Sequence, residues 1–64
     1  MKNIEITTGM TLKDKVTKTR VFVQSVDGDK VELVNVDAKG IIDMETARTM
    51  VMDNQSRKCF EILD

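Results

Sequence analysis

Between residues 21 and 34, β-branched and aromatic residues alternate with polar ones on both sides of the pair Asp27-Gly28. Two alternating runs joined by an Asp-Gly turn are the strongest short-range signal for a β-hairpin. We expect Gly28 to take the left-handed position of a type I turn with a bulge, because a two-residue loop would shift the pairing by one and mix the faces. The predicted cross-strand pairs are Val21 with Leu33, Val23 with Val31, Gln24 with Lys30 and Phe22 with Glu32.

The stretch before the hairpin is less regular. Residues 3–7 alternate polar and apolar side chains and predict a first short strand. Residues 11–19 are mostly polar and show neither the strand nor the helix period, so they are interpreted as an ordered loop that leads into the hairpin. Leu12 and Val16 stand four apart in this loop, which suits one helical turn or two apolar anchors.

A second turn signal, Asp37-Ala38-Lys39-Gly40, follows the hairpin and has glycine where a left-handed residue would sit. Residues 41–44 then predict a strand antiparallel to residues 30–36. Residues 20–44 are therefore expected to form a three-stranded meander, which is about the minimum for an independent sheet.

The hydrophobic period changes over residues 45–52. Met44, Ala47 and Val51 recur at helical spacing, and Asp43 can cap the amides that follow. We therefore predict one or two helical turns in this segment. The predicted closing elements are a loop at residues 54–56 and a last strand at residues 58–63, with Phe60 and Ile62 facing inward.

Five short strands with one helical turn before the last predict a mostly β fold, a small SH3-like barrel of about five antiparallel strands, as one domain over residues 1–64. On this order of elements and glycine positions the chain resembles short SH3-like proteins that are common in phage and prophage genomes, over roughly Gly9 to Leu63. The aromatic groove of peptide-binding SH3 domains is not matched, since Phe22 and Phe60 are the only aromatic residues. Recognition of proline-rich peptides or methylated lysine is therefore not expected.

A second similarity concerns the strand layout of residues 20–34, followed by Gly40-Ile41-Ile42. It is similar to the layout of the carbon storage regulator family, whose members bind RNA. That family has a basic motif in its first strand and an arginine before its helix. Residues 3–6 and residues 42–44 stand at those places here, and they match neither feature.

Composition narrows the possible chemistry. The 64 residues include one cysteine, Cys59, and no histidine, which excludes an internal disulfide and the usual zinc ligand sets. No side chain of ordinary pKa offers a general base near neutral pH, so we expect no enzyme activity, cofactor or metal. Cys59 is interpreted as a small buried or half-buried residue of the last strand. Asp27 and Asp29 are interpreted as turn residues, because the further oxygens of a calcium loop are missing.

No run approaches the ~18 apolar residues that span a bilayer, and no leader-like segment is evident, so we expect a cytoplasmic protein. The formal net charge is −1, but it is unevenly distributed. Residues 1–26 contain five basic and two acidic side chains, whereas residues 27–64 contain five basic and nine acidic ones. The asymmetry predicts a basic patch near the first loop.

The favoured hypothesis for function is a non-enzymatic cytoplasmic binding or adaptor protein, a phage accessory factor that docks on a host or phage protein. Met44 and Val51 are expected to fill the end of the barrel, which leaves Met52 near the surface as part of a soft apolar patch. Acidic hairpin tips would complete the surface. The predicted protein-binding residues are Met50, Met52, Asp27, Asp29 and Asp37.

Two alternatives stay open. One is a small nucleic-acid-binding regulator that contacts phosphates with Lys13, Lys15, Lys18 and Arg20, although no stacking aromatic lies beside this basic loop in the predicted layout. The other is a structural subunit that forms homo-oligomers, since the strand edges of a small open barrel can pair with a second copy.

Overall fold

A computed structural model of the chain describes residues 6–63. Five antiparallel strands form one open sheet in the order β4-β3-β2-β1-β5, with a short helix before the last strand. The predicted mostly β fold is confirmed at this level; the strand pairings of the described residues do not close the sheet into a barrel. The elements are β1 (Thr11–Asp14), β2 (Arg20–Asp27), β3 (Lys30–Val36), β4 (Ile42–Val51), α1 (Asn54–Arg57) and β5 (Phe60–Ile62).

One apolar core lies on the inner face of the sheet. Met52, which follows β4, and Phe60, the first residue of β5, both belong to it. These residues come from opposite edges of the sheet, so the sheet bends enough for both edges to share the core. The buried members are Ile6, Leu12, Val21, Val23, Val31, Leu33, Met52 and Phe60.

The predicted hairpin is confirmed, but its predicted register is wrong. The turn has two residues, Gly28 and Asp29, and Asp27 pairs with Lys30. A β-bulge at Gln24 adds one residue to β2, and this extra residue restores the apolar face that a two-residue turn would otherwise disrupt. The observed pairs are Val21 with Asn35, Phe22 with Val34, Val23 with Leu33, Ser25 with Glu32 and Val26 with Val31.

Residues 11–19 are not a loop throughout, because Thr11–Asp14 forms β1 between β2 and β5. Leu12 is completely buried, whereas Val16 is 77% exposed and anchors nothing. A single inward side chain is enough for this short strand, so it lacks a visible period. Of the strand predicted at residues 3–7, residues 3–5 lie outside the described residues, and residues 6 and 7 are in no strand.

The helix predicted at residues 45–52 is wrong, because β4 continues to Val51. Pairing between β3 and β4 jumps, so that residues 44–47 oppose a single residue of β3. Thr46 holds this wide bulge: its Oγ1 accepts a hydrogen bond from the Asn35 amide at 2.7 Å and donates one to the Asp43 carbonyl at 2.6 Å. A bulge of this length breaks the two-residue period, which made the segment look helical.

The helix lies later, at the residues predicted to be a loop. Asp53 is its N-cap and accepts a hydrogen bond from the Ser56 amide at 2.8 Å. Asp43, the predicted cap, instead accepts from the Glu45 amide at 3.1 Å inside β4. In the described part of the chain no helix has the length and apolar character needed to cross a membrane.

The methionines exchange the predicted roles. Met52 is 1% exposed, so its expected position near the surface is wrong, while Met44 is 60% exposed and Val51 48% exposed rather than filling the core. Met44 and Val51 lie on a bulged strand and Met52 follows it directly. The geometry of this strand, not a helical period, decides which of these side chains faces inward. On the last strand Phe60 is buried as predicted, but Ile62 remains partly exposed.

Candidate binding surface

The residues predicted to bind protein fall into two separate places. Met52 is in the core, and Met50 is half-buried against that core. Asp29 is in the β2–β3 turn and Asp27 comes just before it, and the Met52 amide donates to the Asp29 carbonyl at 2.7 Å. The methionines and this acidic turn are therefore neighbours. Met52 is not accessible to a partner, however, and Met50 is only partly so.

Asp37 directly follows β3, at the end of the strand away from the β2–β3 turn. It lies about 20 Å from Lys30, the first residue of β3, at the usual rise per residue. Its Oδ1 accepts hydrogen bonds from the amides of Lys39 at 2.8 Å and Ile41 at 2.9 Å. Gly40 in the same connection has a φ of 86°, which favours glycine. Asp37 therefore builds the β3–β4 connection and does not join the other predicted protein-binding residues.

The residues predicted to bind nucleic acid are brought closer together. Lys13 and Arg20 are directly paired across β1 and β2. Lys15 and Lys18 are in the turn that joins these strands, where the Lys18 amide donates to the Asp14 carbonyl at 2.7 Å and Lys18 has a positive φ of 65°. The turn thus holds all four cations at one end of the sheet.

A contact that the sequence does not reveal adds a further cation to this end. The Lys15 amide donates to the Cys59 carbonyl at 2.8 Å, which fixes the neighbouring Lys58 beside the β1–β2 turn. Lys39 joins from the β3–β4 connection, because Arg20 pairs with Val36 at the end of β3. We call this set the basic end; its members are Lys13, Lys15, Lys18, Arg20, Lys39 and Lys58.

The face opposite the core, the outer face, carries a row of side chains that crosses all five strands. Direct cross-strand partners share a face, and the pairings run from Glu61 to Lys13, Arg20, Val36 and Ile42. The row begins with charged residues at the β5 edge and ends with apolar ones at the β4 edge. It therefore places cations next to an apolar strip.

A groove of about 680 Å³ opens on the outer face along this strip. Arg20 and Lys39 contribute its cationic side chains, and Phe22 lies two residues from Arg20 on the same face of β2. Leu63 is held at the groove by a 3.0 Å hydrogen bond from its amide to the Thr11 carbonyl. The apolar side chains that line the groove include Phe22, Val36, Ile42 and Leu63.

The outer face has its own small apolar centre beside the groove. Val34 pairs with Phe22 on this face and is nevertheless completely buried. The side chains of Gln24 and Met44, on the two strands that flank β3, meet at 3.2 Å between Nε2 and Sδ. Phe22 itself is half-buried and lines the groove.

Three cations of the basic end form no ion pair with a described residue, although carboxylates lie near them: Glu61 is the strand partner of Lys13, and Asp37 lines the groove with Arg20 and Lys39. Within residues 6–63, the side chains of Lys13, Arg20 and Lys39 have no hydrogen-bond or ion-pair partner. Asp14, the nearest carboxylate along the chain, accepts hydrogen bonds from the amides of Val16 at 2.8 Å and Thr17 at 3.3 Å. Arg20 and Lys39 are exposed and can meet an anionic ligand.

Cys59 does not occupy the predicted buried position on the last strand. It is exposed in the turn before β5, and its thiol lies 3.7 Å from the Gln55 carbonyl. Among residues 6–63 no cluster of three or more cysteine and carboxylate side chains could hold a metal ion.

Phe22 is the residue of this surface that sequence reasoning missed. The sequence signal for it is an aromatic residue on the polar side of the alternating hairpin, where it cannot belong to the core.

Comparison of the chain with known proteins finds no matching family model, no similar curated protein and no similar solved structure.

Proposed function

We propose that this chain is a small, non-enzymatic nucleic-acid-binding domain that holds the phosphate backbone with its basic end. The observation that carries the proposal is the direct pairing of Lys13 with Arg20, extended by the Lys15–Cys59 hydrogen bond that brings Lys58 alongside. Lysine and arginine bound to phosphates release condensed counterions, which supplies most sequence-independent affinity.

The distribution of charge over the whole domain supports this proposal. The opposite end of the sheet carries Asp27 and Asp29 at the β2–β3 turn, with Asp53 just after Met52. Although the net charge is close to zero, the two ends therefore have opposite sign. A polyanion would be attracted to the basic end and repelled by the acidic one, so the field orients it.

The protein-docking hypothesis receives less support from the geometry. Met52 is buried, and Asp37 is separated from the other predicted residues and engaged in the β3–β4 connection. By contrast, the four cations of the alternative hypothesis lie at one end of the sheet. Nucleic-acid binding is for this reason the function that we put forward.

For the fold, we propose that the domain is a partly open SH3-like barrel of the phage and prophage kind. What supports it is the sequence of tight hairpins followed by a helical turn before the last strand, and a core to which Met52 and Phe60 contribute from the two sheet edges. Nuclear Overhauser contacts between these two side chains would test the shared core.

The test of function is a salt titration of binding, followed by fluorescence anisotropy with labelled oligonucleotides of about 16 nucleotides. Four phosphate contacts on a single strand predict a log–log slope of about −3 between ~50 and ~200 mM salt. We expect Lys15→Gln and Lys58→Gln each to weaken binding and to reduce the slope by roughly one.

The matched control is Lys30→Gln, which removes the same charge from the acidic end. This variant should leave the slope unchanged and affinity unchanged or very slightly lower, because Lys30 lies far from the basic end. The proposal would be overturned if the wild-type domain binds no oligonucleotide at low salt, or if Lys30→Gln weakens binding as much as Lys15→Gln does.

A further inference from the structure

Phe22 is an aromatic residue that lies outside the core. Phe60 is 4% exposed and belongs to the core, whereas Phe22 is half-buried on the outer face and lines the groove. Its cross-strand partner Val34 is completely buried on the same face. A half-buried aromatic ring on a groove offers a flat apolar surface to a ligand.

The groove combines this ring with cations at a useful spacing. Arg20 and Phe22 are alternate residues of β2, which places them about 7 Å apart on the same face. Lys13 pairs with Arg20 on one side, and Lys39 lines the groove on the other. A ligand that contacts Phe22 with a flat apolar group would thus hold its anionic groups against the basic end.

We infer that this groove is a base-stacking subsite in which Phe22 carries an unpaired nucleobase while Arg20 and Lys39 hold the adjoining phosphates. The inference rests on the proposed function and specifies its ligand: single-stranded DNA or RNA. In a duplex the base faces are stacked on each other and are not available to a side chain, whereas a single strand can place a base on an aromatic ring.

Charge and shape favour this occupant over an apolar peptide. The groove volume of about 680 Å³ falls within the ~300–1,000 Å³ range of small-ligand sites. Arg20 and Lys39 form no ion pair within residues 6–63, and Asp37, the carboxylate in the lining, accepts hydrogen bonds from the amides of Lys39 and Ile41. An uncharged peptide would leave both cations unmatched. A nucleotide supplies both the flat ring and the negative charge.

The experiment uses Phe22→Leu, which keeps an apolar side chain but removes the aromatic face. We expect single-strand affinity to fall about 5- to 150-fold, the usual range for one stacking contact. Affinity for a duplex of equal length should change little, and Phe22→Tyr should restore single-strand binding. Circular dichroism checks that each variant keeps the sheet.

A second measurement uses Phe22→Trp, because the chain contains no tryptophan or tyrosine and the new indole is the sole strong emitter. We expect an oligonucleotide to quench this emission, and an abasic oligonucleotide of the same charge to bind without quenching it. Quenching by the abasic strand to the same extent would contradict stacking.

The outcomes separate this inference from the proposed function. If Phe22→Leu binds single strands as tightly as the wild type while Lys15→Gln and Lys58→Gln weaken binding, the stacking subsite is wrong and the basic end stands. If an acidic, apolar peptide quenches the Phe22→Trp emission and oligonucleotides do not, the groove is a protein-docking site and the inference is overturned. If no oligonucleotide binds the wild type, the proposed function itself fails.

Discussion

At the scale of single residues, two methionines show how strongly position rather than residue type determines a role. Met52 is 1% exposed within the core, and Met44 is 60% exposed on the bulge of β4. Replacing Met52 by alanine should destabilise the domain by about 2–5 kcal/mol, because it leaves a cavity. Met44→Ala, the same chemical change at the surface, should alter stability by about 0.5 kcal/mol or less. Urea unfolding of both variants measures the contrast, and equal losses would contradict the placement of Met52.

A second residue-scale prediction concerns the helix cap. Hydrogen bonds from the backbone and the side chain of Ser56 hold the pKa of the Asp53 carboxyl below its ordinary value of 3.8. Since the folded pKa is the lower one, ionised Asp53 stabilises the fold above pH 3.8, and this contribution is lost as the pH falls below that value.

The measurement is the difference in melting temperature between the wild type and Asp53→Ala across acidic pH. We expect Asp53→Ala to melt lower at neutral pH, and the difference to shrink on acidification. Asp53→Asn is the control: asparagine also caps helices well but does not titrate, so its cap should persist in acid. A difference that stays constant with pH would show that ionisation of Asp53 is irrelevant to the cap.

The sequence predicts a residue's position where that position depends on its own segment of chain. It does not predict a position that depends on contacts with other strands. Gly28 and Gly40 both have positive φ at the turns that their positions predicted. The surroundings of Phe22, in contrast, come from other strands: Val34 is its partner on β3, and the groove that it lines also includes Lys39. The pattern of β2 alone places Phe22 outside the core, but it does not show that cations of β1 and the β3–β4 connection lie beside it.

At the scale of elements, the two bulges explain what the sequence left open. The predicted and observed registers of the hairpin both give one apolar face, the first through a longer turn and the second through a two-residue turn plus the bulge at Gln24. Alternation alone cannot choose between them, because it fixes which residues share a face and not where an extra residue is inserted. In β4 the inserted segment is longer, residues 44–47, and its effect on the alternation resembles a helical period.

The bulge of β4 leads to a prediction for Thr46. Thr46→Val is nearly isosteric, but it removes the acceptor of the Asn35 amide and the donor to the Asp43 carbonyl. We expect a loss of about 1–3 kcal/mol, since a part-buried amide is left without its partner. Hydrogen exchange of the Asn35 amide should accelerate at the same time.

The control is Thr49→Val, an exposed position of the same strand opposite Glu32. Valine suits a strand, so this variant should be close to neutral. If both threonine variants lose the same stability, or if exchange at Asn35 is unchanged in Thr46→Val, the Thr46 hydroxyl does not hold the bulge.

The bulge also changes the exposed edge of the sheet at β4. β4 is the longest strand and lies at one edge, where unpaired backbone groups invite association with a second copy. Residues 44–47 interrupt the regular edge, and bulges are a common way in which natural sheets prevent such pairing. The element thus weakens the case for a homo-oligomer built by edge pairing along β4.

At the scale of the whole molecule, the fold could be predicted further than the surface could. The mostly β class and the hairpin of β2 and β3 follow from alternating runs and turn residues, whereas β1 and the helix lie where the sequence predicted loops. The basic end depends instead on the β1–β5 pairing and on the hydrogen bond from Lys15 to Cys59, which joins residues 44 positions apart. Contacts of that separation leave no periodic trace in one sequence, so Lys39 and Lys58 could not be grouped with the predicted cations in advance.

The hydrogen bond between the Leu63 amide and the Thr11 carbonyl places the beginning and the end of the sheet side by side. A chain split at the exposed β2–β3 turn, between Gly28 and Asp29, would give two fragments that still pair twice, β2 with β3 and β1 with β5. The two fragments could therefore reassociate into the same sheet. Because that turn belongs to the acidic end, the split would lie far from the groove and leave the basic end intact.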